Sequence, residues 1–316
     1  MKSEEQFLKL IDAHFPREGQ AVTLGRGDDC AVLAGGEPFC VSSDLFLEDV
    51  HFRRDYFSAA DIGYKALAVN ISDIAAMGAL PVAFNMDLMA PADLPDEFWD
   101  EFLHSMAMLA RQNDMVLTGG DLCRADKLGV SITVFGVAKG GGRFLTRGNC
   151  AKGDVLFTVG DLGMARAGFM ALESLKDKAR EAFPAAVNAH LRPKPKVLIG
   201  TLLKAAGAKG LMDVSDGLAR DLPRFLGPDL GADIALKAEQ LNGNVVAFAL
   251  AMGVDPVEEA ILGGEDYALL GCANFMDMPR IETVPGVTVI GAVTDKPGLV
   301  VNGEPFDAAG FDHFEQ

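Results

Sequence analysis

The chain lacks the features that mark disulfide-stabilised, zinc-binding and nucleic-acid-binding proteins. Its five cysteines are scattered, odd in number and form no Cys-x-x-Cys pair, a pattern that supports neither a disulfide framework nor a zinc site. Basic residues are scarce, since 28 lysines and arginines stand against 45 acidic residues and give a net charge of −17. Because such a surface repels phosphate backbones and anionic lipids, we expect no nucleic-acid partner and no membrane partner.

The commoner catalytic motifs are also absent from the sequence, and its first residues do not resemble a signal peptide. The first five residues, MKSEE, are acidic with no signal-peptide core, and no apolar run is as long as a membrane span, so we expect a cytoplasmic protein. There is no Gly-x-x-x-x-Gly-Lys-Ser/Thr loop, no protein-kinase motif set and no Gly-x-Ser-x-Gly elbow. His14, His104, His190 and His313 stand in no metal-ligand spacing, and we interpret each as a surface or satisfied interior side chain.

Length and hydrophobicity indicate two domains with a large buried core. The 316 residues exceed the size that one core usually serves, and 49% of them are hydrophobic, with a mean hydropathy of +0.19. Strands and helices alternate in irregular order, which favours an α+β (mixed α/β) fold over a regular doubly wound sheet. The glycine-rich segment 139–143 predicts a linker, so we expect domains at 1–140 and 141–316.

Hydrophobic periodicity predicts the individual elements. Helices are predicted at about 4–14, 59–77, 95–112, 195–206, 217–227 and 241–252, and strands within 21–44 and at 116–118, 130–138 and 155–159. In the helix at 59–77, Asp73 lies on the same apolar face as Ile62 and Val69. Because burying an unpaired carboxylate is costly, we expect Asp73 to face a cation, a hydrogen-bond network or a lined cleft.

Six short acidic clusters, each beside glycine or serine, are the most informative feature that the sequence does contain. They are Gly27-Asp28-Asp29, Ser42-Ser43-Asp44, Ser72-Asp73, Gly119-Gly120-Asp121, Asp213-Val214-Ser215-Asp216-Gly217 and Gly263-Gly264-Glu265-Asp266. Carboxylates are hard oxygen ligands for Mg²⁺, Mn²⁺ or Ca²⁺, although any one cluster alone is more typical of a turn. If several converge, their repulsion requires bound cations, so the set predicts a Mg²⁺-nucleotide site.

Two details of these clusters stay open in the sequence. Asp28 and Asp29 are adjacent, so in an extended segment their side chains diverge and only one of them faces a given site. Ser215 or Asp216 is equally suited to be the N-cap of the helix predicted at 217–227.

Taken in order, the acidic clusters resemble the thiamine-monophosphate kinase family. The similarity runs from about residue 21 to the tail at 310–314, and its most specific blocks are 64–79 (YKALAVNISDIAAMGA) and 263–267 (GGEDY). It implies ATP-dependent conversion of thiamine monophosphate to thiamine diphosphate, within a superfamily that includes aminoimidazole ribonucleotide synthetase, selenophosphate synthetase and a hydrogenase maturation enzyme. It also implies a two-domain fold, in which an N-terminal α/β domain dimerises through its sheet and a C-terminal α/β domain completes the active site.

The resemblance further implies roles for individual residues. The Mg²⁺-binding positions are Asp29, Ser43, Asp44, Asp73, Asp121, Asp213 and Asp216, with Ser42 at a neighbouring metal-site position. The ATP contacts are Gly120, Asp121, Arg147 and Ser215, and the contacts with the thiamine phosphate are His51 and Glu265. Asp73, Asp121 and Asp216 are expected to act most directly in catalysis, with several Mg²⁺ ions as cofactors and ATP as co-substrate. The family pattern is missing in two places. Ala308 stands where the family often has a tail aromatic that flanks the thiamine moiety, so that contact is absent or is made by Phe306 or Phe311. Gln112 and Asn113 stand where the family has an aromatic that contacts the nucleotide.

A phosphate acceptor agrees with the lack of an obvious histidine–carboxylate pair. The second pKa of a phosphate monoester is about 6, so its attacking oxygen is largely ionised at neutral pH and no general base is needed. We therefore expect direct in-line, Mg²⁺-assisted transfer of the γ-phosphoryl group. The alternatives are a non-catalytic Mg²⁺-nucleotide sensor or another ATP-dependent synthetase of the superfamily. Aminoimidazole ribonucleotide synthetase is disfavoured because SDLFLE at 43–48 replaces its Asp-Gly-Val-Gly-Thr-Lys element.

Overall fold

Two β-sheets, each built from one half of the chain, form the framework of the protein. The computed structural model describes residues 22–24, 27–33, 36, 38–138 and 142–307. Within them, each sheet has seven strands. The helix predicted at 4–14, the start of the linker at 139–141, and the tail positions Ala308 and Phe311 lie outside the described residues.

The first sheet has an antiparallel centre and a parallel edge. The elements of this half are β1 (Val22–Leu24), β2 (Ala31–Leu33), β3 (Phe39–Leu47), α1 (Ala59–Ala76), β4 (Leu80–Ala90), α2 (Asp96–Gln112), β5 (Val116–Gly119), β6 (Leu122–Arg124) and β7 (Gly129–Val137). The strand order is β1-β2-β3-β7-β4-β5, and β6 also pairs with β4. Strand β7 pairs antiparallel with both β3 and β4, whereas β5 and β6 run parallel to β4.

The second sheet is mostly antiparallel, with helices between its strands. The elements of this half are β8 (Val155–Val159), α3 (Met164–Leu175), α4 (Ala179–Ala182), α5 (Pro184–Leu191), α6 (Val197–Ala206), β9 (Gly210–Val214), α7 (Leu218–Leu226), β10 (Gly231–Ile234), α8 (Gly243–Met252), α9 (Pro256–Leu262), β11 (Ala268–Ala273), α10 (Met278–Ile281), β12 (Val287–Thr294), β13 (Gly298–Val301) and β14 (Glu304–Pro305). Short 3-10 turns occupy Lys176–Lys178, Ala238–Gln240 and Phe275–Asp277. The strand order is β14-β13-β10-β12-β8-β11-β9.

Helix α1 is the element that joins the two halves. It begins at a capping box, in which the side chains of Ser58 and Asp61 satisfy each other's backbone amides. Nearly all of its residues are buried, because it packs against α2, β3 and β7 of its own half and against α6 and β9 of the other. At Gly63 the α2 backbone comes so close that an added Cβ would lie 2.1 Å from the carbonyl oxygen of Phe102. Side chains of α1 therefore reach residues from both sheets.

The predicted mixed α/β fold is confirmed, and most predicted elements lie where the pattern placed them. The helices predicted at 59–77, 95–112, 195–206, 217–227 and 241–252, and the strands at 116–118, 130–138 and 155–159, each coincide with an element to within two residues. The prediction missed β4 and β6, and it named no strand after β8. Strand β4 does carry a period-2 signal, because apolar and polar residues alternate from Phe84 to Leu88, although a proline is its second residue.

The first sheet exposes apolar side chains, most of them on β5 and β6 at its parallel edge. Val116 and Leu117 on β5 and Leu122 on β6 are each about half exposed or more, as is Leu45 on the inner strand β3. Large exposed apolar patches mark interaction surfaces in soluble proteins. Among the described residues, none of the helices combines the length and hydrophobicity that crossing a bilayer would require.

Candidate active site

Three carboxylates from distant parts of the chain meet at the centre of the candidate site. Asp29 lies in the turn before β2, Asp73 near the end of α1 and Asp213 on β9. One carboxylate oxygen from each lies within 4.8 Å of the others. We call this group the acidic cluster. It draws on both sheets, so it exists only when the two halves are packed together.

Hydrogen bonds fix the direction of these carboxylates. The Ser42 hydroxyl donates to Asp73, and the Arg147 guanidinium donates to Asp29. The neighbouring Asp28 binds backbone instead. Its carboxylate accepts hydrogen bonds from the backbone amides of Asp29 and Arg147, both at 2.8 Å. Of the two adjacent residues, only Asp29 belongs to the acidic cluster. One oxygen of Asp29, Oδ2, is buried and has no hydrogen-bond partner within the described part of the chain.

Asp44 and Asp216 extend the acidic cluster. The backbone amide of Asp44 donates to Asn70 Oδ1 at 3.1 Å, which ties β3 to α1. Burial, together with the charges of Asp213 and Asp216, raises the pKa of Asp44 to about 6. Asp216 is balanced by Arg224, whose guanidinium lies 2.6 Å from its carboxylate. Five of the predicted metal-binding aspartates are thus close enough to influence one another.

The protonation of the acidic cluster indicates a site built for cations. Burial raises the pKa of Asp29 well above its usual range, more than Arg147 lowers it. The pKa of Asp73 is also raised well above its usual range, by burial and then by Asp44 and Asp213. Only hard oxygen ligands are present, and one buried oxygen of Asp29 has no hydrogen-bond partner among the described residues. The donor set fits Mg²⁺ or a similar hard divalent cation.

We predict that the metal-free protein becomes less stable as the pH rises from 5 to 8. A carboxyl whose pKa is raised in the folded state binds more protons there than in the unfolded chain, so the free energy of unfolding falls as pH rises through the folded pKa. Asp44 at about 6 and Asp266 at about 7 place this fall between pH 5 and 8. In EDTA, the melting temperature is expected to drop by about 5 °C or more.

Adding Mg²⁺ is expected to remove most of that drop, because a bound cation favours the ionised carboxylates. Melting curves in K⁺ at the same ionic strength are the control, since monovalent salt only screens the net charge of −17. A melting temperature that is flat or rises with pH in EDTA, or equal effects of K⁺ and Mg²⁺, would contradict the prediction.

Gly120 and Asp121 lie apart from the acidic cluster within a single chain. Asp44 is opposite Ile132 on β7, which is opposite Met86 on β4. The Asp121 carbonyl accepts from the amide of Leu88, two residues further along β4 and on its far side. Three strand spacings of about 4.8 Å therefore separate Asp44 from this turn by about 14 Å. Gly120 has a φ of 150° and an added Cβ would lie 1.8 Å from the Met86 carbonyl oxygen, so only glycine fits there.

Ser43 and His51 make side-chain contacts with residues outside the acidic cluster. Alternation along β3 puts Ser43 on the opposite face from Ser42 and Asp44, with its hydroxyl 3.0 Å from Thr133 Oγ1. His51 Nδ1 accepts from the Leu47 amide at 3.0 Å, and its ring stacks on Phe46. Their predicted roles in metal and substrate binding stay predictions.

Glu265 belongs to a second group of charges, next to the acidic cluster. Its carboxylate oxygens lie 2.8 Å from Lys65 Nζ and 3.0 Å from His190 Nδ1. Burial alone would raise the pKa of Glu265, but Lys65 and His190 lower it below its ordinary value, so Glu265 is ionised. Its backbone amide donates to the Ser215 carbonyl at 2.7 Å, which joins the two predicted loops.

The helix start at α7 differs from both interpretations of Ser215 and Asp216. Neither residue is the N-cap, because Gly217 occupies that position without a side-chain cap. Instead, Asp221 from the first turn reaches back and accepts from the amides of Ser215 and Asp216, both at 2.9 Å. Burial and the charge of Asp216 raise the pKa of Asp221 to about 7. An aspartate in the first turn after Asp-Gly was the only signal for it in the sequence.

Lys65 and His190 were not identified as functional from the sequence. Lys65 lies within a specific sequence block, but no role followed from it, and His190 was interpreted as an ordinary histidine. His190 is indeed an interior side chain, yet it contacts a predicted substrate-binding residue. Both contacts are made across the chain, where periodicity and motif spacing carry no information.

Comparison with known proteins supports the whole-chain similarity. Residues 27–138 match the family model of the AIR synthase related protein, N-terminal domain. The chain is 36% identical to the thiamine-monophosphate kinase of Mycobacterium tuberculosis, covering 94% of this chain and 88% of that protein. It is 35% identical to the thiamine-monophosphate kinase of Escherichia coli K12, covering 96% and 97%.

Solved structures of similar proteins share this fold over nearly the whole chain. AaThiL complexed with AMPPCP and TMP has a TM-score of 0.87 at 28% identity, covering 99% of this chain and 97% of that one. Thiamine monophosphate kinase from Aquifex aeolicus has a TM-score of 0.84 at 26% identity, covering 97% and 99%. The hydrogenase maturation protein HypE of E. coli, at 20% identity, has a TM-score of 0.70, covers 96% and 97%, and shares the fold alone.

Proposed function

The chain belongs to the thiamine-monophosphate kinase family, and we propose that it transfers the γ-phosphoryl group of ATP to thiamine monophosphate, forming thiamine diphosphate and ADP. One observation carries this proposal: the acidic cluster, with Asp44 and Asp216, gathers five carboxylates from both halves of the chain. It does so in a fold that matches, over nearly its whole length, a protein solved with TMP and the ATP analogue AMPPCP.

We propose that Asp29, Asp73 and Asp213 hold Mg²⁺, with Asp44, Asp216 and Ser42 beside them. When bound, Mg²⁺ supplies positive charge that neutralises and orients phosphate oxygens. Support comes from the purely oxygen donor set and from the raised pKa values of Asp29, Asp44 and Asp73. Asp121 and Ser43 remain proposed metal positions on the strength of the family resemblance alone.

The residues of this chain bind and orient two polyanions rather than exchange protons with them. The acceptor phosphate, with a second pKa of about 6, is already a nucleophile at neutral pH. Arg147, held by Asp28 and Asp29 and only about a fifth exposed, is positioned to present a cation to the nucleotide. The ionised Glu265 suits the cationic thiazolium end of the acceptor, because it would repel the phosphate end.

We propose direct in-line transfer without a phosphorylated enzyme. The acceptor brings its own ionised nucleophile, so no side chain has to carry the phosphoryl group. The two histidines assigned near the site contact other groups, His190 the Glu265 carboxylate and His51 the Leu47 amide. Isolation of a phosphorylated protein that turns over at the catalytic rate would contradict this proposal.

Product analysis tests the proposed activity. With Mg·ATP and thiamine monophosphate, we expect equal amounts of ADP and thiamine diphosphate, separated by chromatography. ADP without thiamine diphosphate, or phosphorylation of free thiamine alone, would overturn the assignment. A non-catalytic sensor, the competing function, would bind Mg·ATP and release no ADP with any thiamine phosphate.

We also propose that the protein is a cytoplasmic homodimer that pairs through the first sheet. The apolar side chains exposed along β5 and β6, including Val116 and Leu122, support this face as the contact. The Gly120–Asp121 turn lies between those two strands, so a partner seated there would cover it. The mass of the protein in solution is the direct test.

A further inference from the structure

Glu265 is held by two buried groups to which the sequence assigned no role. Lys65 comes from α1 in the first half of the chain and His190 from α5 in the second. Their nitrogen atoms approach different oxygens of the Glu265 carboxylate, at 2.8 Å for Lys65 and 3.0 Å for His190. The carboxylate is therefore fixed in rotation as well as in position.

Burying the ammonium group of Lys65 at this position is unfavourable in free energy. Its side chain is 0% exposed, and its ammonium lies 6.0 Å from the ring centroid of Phe46 and 5.5 Å from that of Phe57. An isolated ammonium in such surroundings is strongly disfavoured, and cation–π contacts offset only part of the cost. Within the described residues Glu265 is its one ion-pair partner, so the pair constrains both side chains.

His190 approaches the other oxygen as a neutral ring. Burial lowers its pKa, as does the neighbouring Lys65 charge, so the ring is neutral near pH 7. Its Nδ1 lies 3.0 Å from the Glu265 carboxylate without forming a well-aligned hydrogen bond, so the contact restricts the carboxylate mainly by position. The rings of Tyr56, Phe57 and Phe169 surround it at centroid distances of 5.4 to 6.4 Å, which prevents the imidazole from turning away.

The loop that carries Glu265 is anchored separately by its backbone and by Asp266. Glu265 has a φ of 62°, in the left-handed region that a glutamate rarely adopts. Tyr267 N donates to the Val214 carbonyl at 2.9 Å, and Asp266 accepts from the amides of Gly163 and Ala165 at the start of α3. Since these bonds hold the backbone, Lys65 and His190 are left to fix the Glu265 side chain itself.

We propose that Lys65 and His190 are positioning residues, which hold the ionised Glu265 at the angle needed to bind the non-reacting, cationic part of the acceptor. This inference rests on the proposed function. It assigns them no contact with the reacting phosphates, which lie with the acidic cluster. Their loss should therefore weaken binding of thiamine monophosphate while leaving binding of ATP unchanged.

The test is a double-mutant cycle between Lys65 and Glu265. Lys65→Met keeps the length of the side chain and removes its charge, and Glu265→Gln keeps the shape of its partner. Each single change should raise KM for thiamine monophosphate about 10- to 100-fold, the range seen when an outer partner of a binding group is removed. KM for ATP should stay within about twofold. In the Glu265→Gln background, Lys65→Met should have no further effect on KM, because it acts through Glu265.

Two histidine variants keep the inference testable if Lys65→Met does not fold. His190→Asn retains an N–H near the position of Nδ1, whereas His190→Leu does not, so the first should restore most of the affinity lost in the second. His104→Leu, on the exposed face of α2, is the matched control. Equal changes in both KM values, a Lys65→Met effect that persists in the Glu265→Gln background, or equal Asn and Leu variants at His190 would overturn the inference. Failure of the proposed function is distinct, because the wild type itself would then form no thiamine diphosphate.

Discussion

Replacing Asp73 by asparagine is expected to lower the turnover number about 10²- to 10³-fold while the protein stays folded. Asp73 is the member of the acidic cluster that α1 contributes, and Ser42 donates to it. Its neutral amide analogue keeps the shape but removes one negative charge from the group that would hold Mg²⁺. The loss should appear in the turnover number at saturating Mg²⁺, ATP and thiamine monophosphate.

The same variant should be at least as stable as the wild type when metal is absent. Burial, Asp44 and Asp213 raise the pKa of Asp73, which means that its ionised form is disfavoured in the folded state. At pH 8 in EDTA, Asp73→Asn should therefore melt no lower than the wild type, and Mg²⁺ should raise its melting temperature less. Asp100→Asn, on the exposed side of α2, is the control for charge and should change neither quantity. Wild-type turnover in Asp73→Asn would refute the metal role.

Adding one methyl group at Gly63 is expected to destabilise the protein by about 2 kcal/mol. The new Cβ would lie 2.1 Å from the carbonyl oxygen of Phe102, a backbone atom that can move only if α1 and α2 separate. Because the clash is with backbone, we take the upper end of the cost of overpacking, about 3 kcal/mol, of which the better helix propensity of alanine offsets about 1 kcal/mol. We expect the melting temperature of Gly63→Ala to fall by about 3 °C.

Gly243→Ala provides the matched control for that measurement. Gly243 is the first residue of α8, and no atom lies within 4 Å of its added Cβ. The same chemical change should there be neutral or slightly stabilising, by up to about 1 kcal/mol, because it restricts the unfolded chain. If both variants melt alike, the contact between α1 and α2 is not as tight as the structure indicates.

The parts of the fold that were predictable are those set by local pattern. Helix α1 was located to within one residue because apolar side chains recur along it at helical spacing. Strand β4 was missed although apolar and polar residues alternate from Phe84 to Leu88, a local pattern typical of a strand.

The candidate metal ligands could be predicted from the sequence, but the residues that position the site could not. The unusual place of Asp73 on an apolar face and the ordered acidic clusters pointed to the carboxylates that the structure brings together. The only sequence signal that Asp221 would bond the loop before its own helix was its place in the first turn after Asp-Gly. Nothing local could reveal that Lys65 would contact Glu265, because that contact is defined only by how the two halves pack. The position of Asp121 across the sheet was likewise invisible, because β6 was not predicted.

The packing of α1 against both sheets has a consequence for the order in which the molecule is made. During synthesis the first half emerges from the ribosome well before β9 and the Glu265 loop, since domains fold from the N-terminus onward. Until then Lys65 has no counter-ion, and the apolar end of α1 near Ala75 and Ala76 has no cover from α6 and β9. While it is alone, the first half of the nascent chain therefore exposes an apolar surface that is prone to aggregation. Completion of the site and protection from aggregation are the same late folding event.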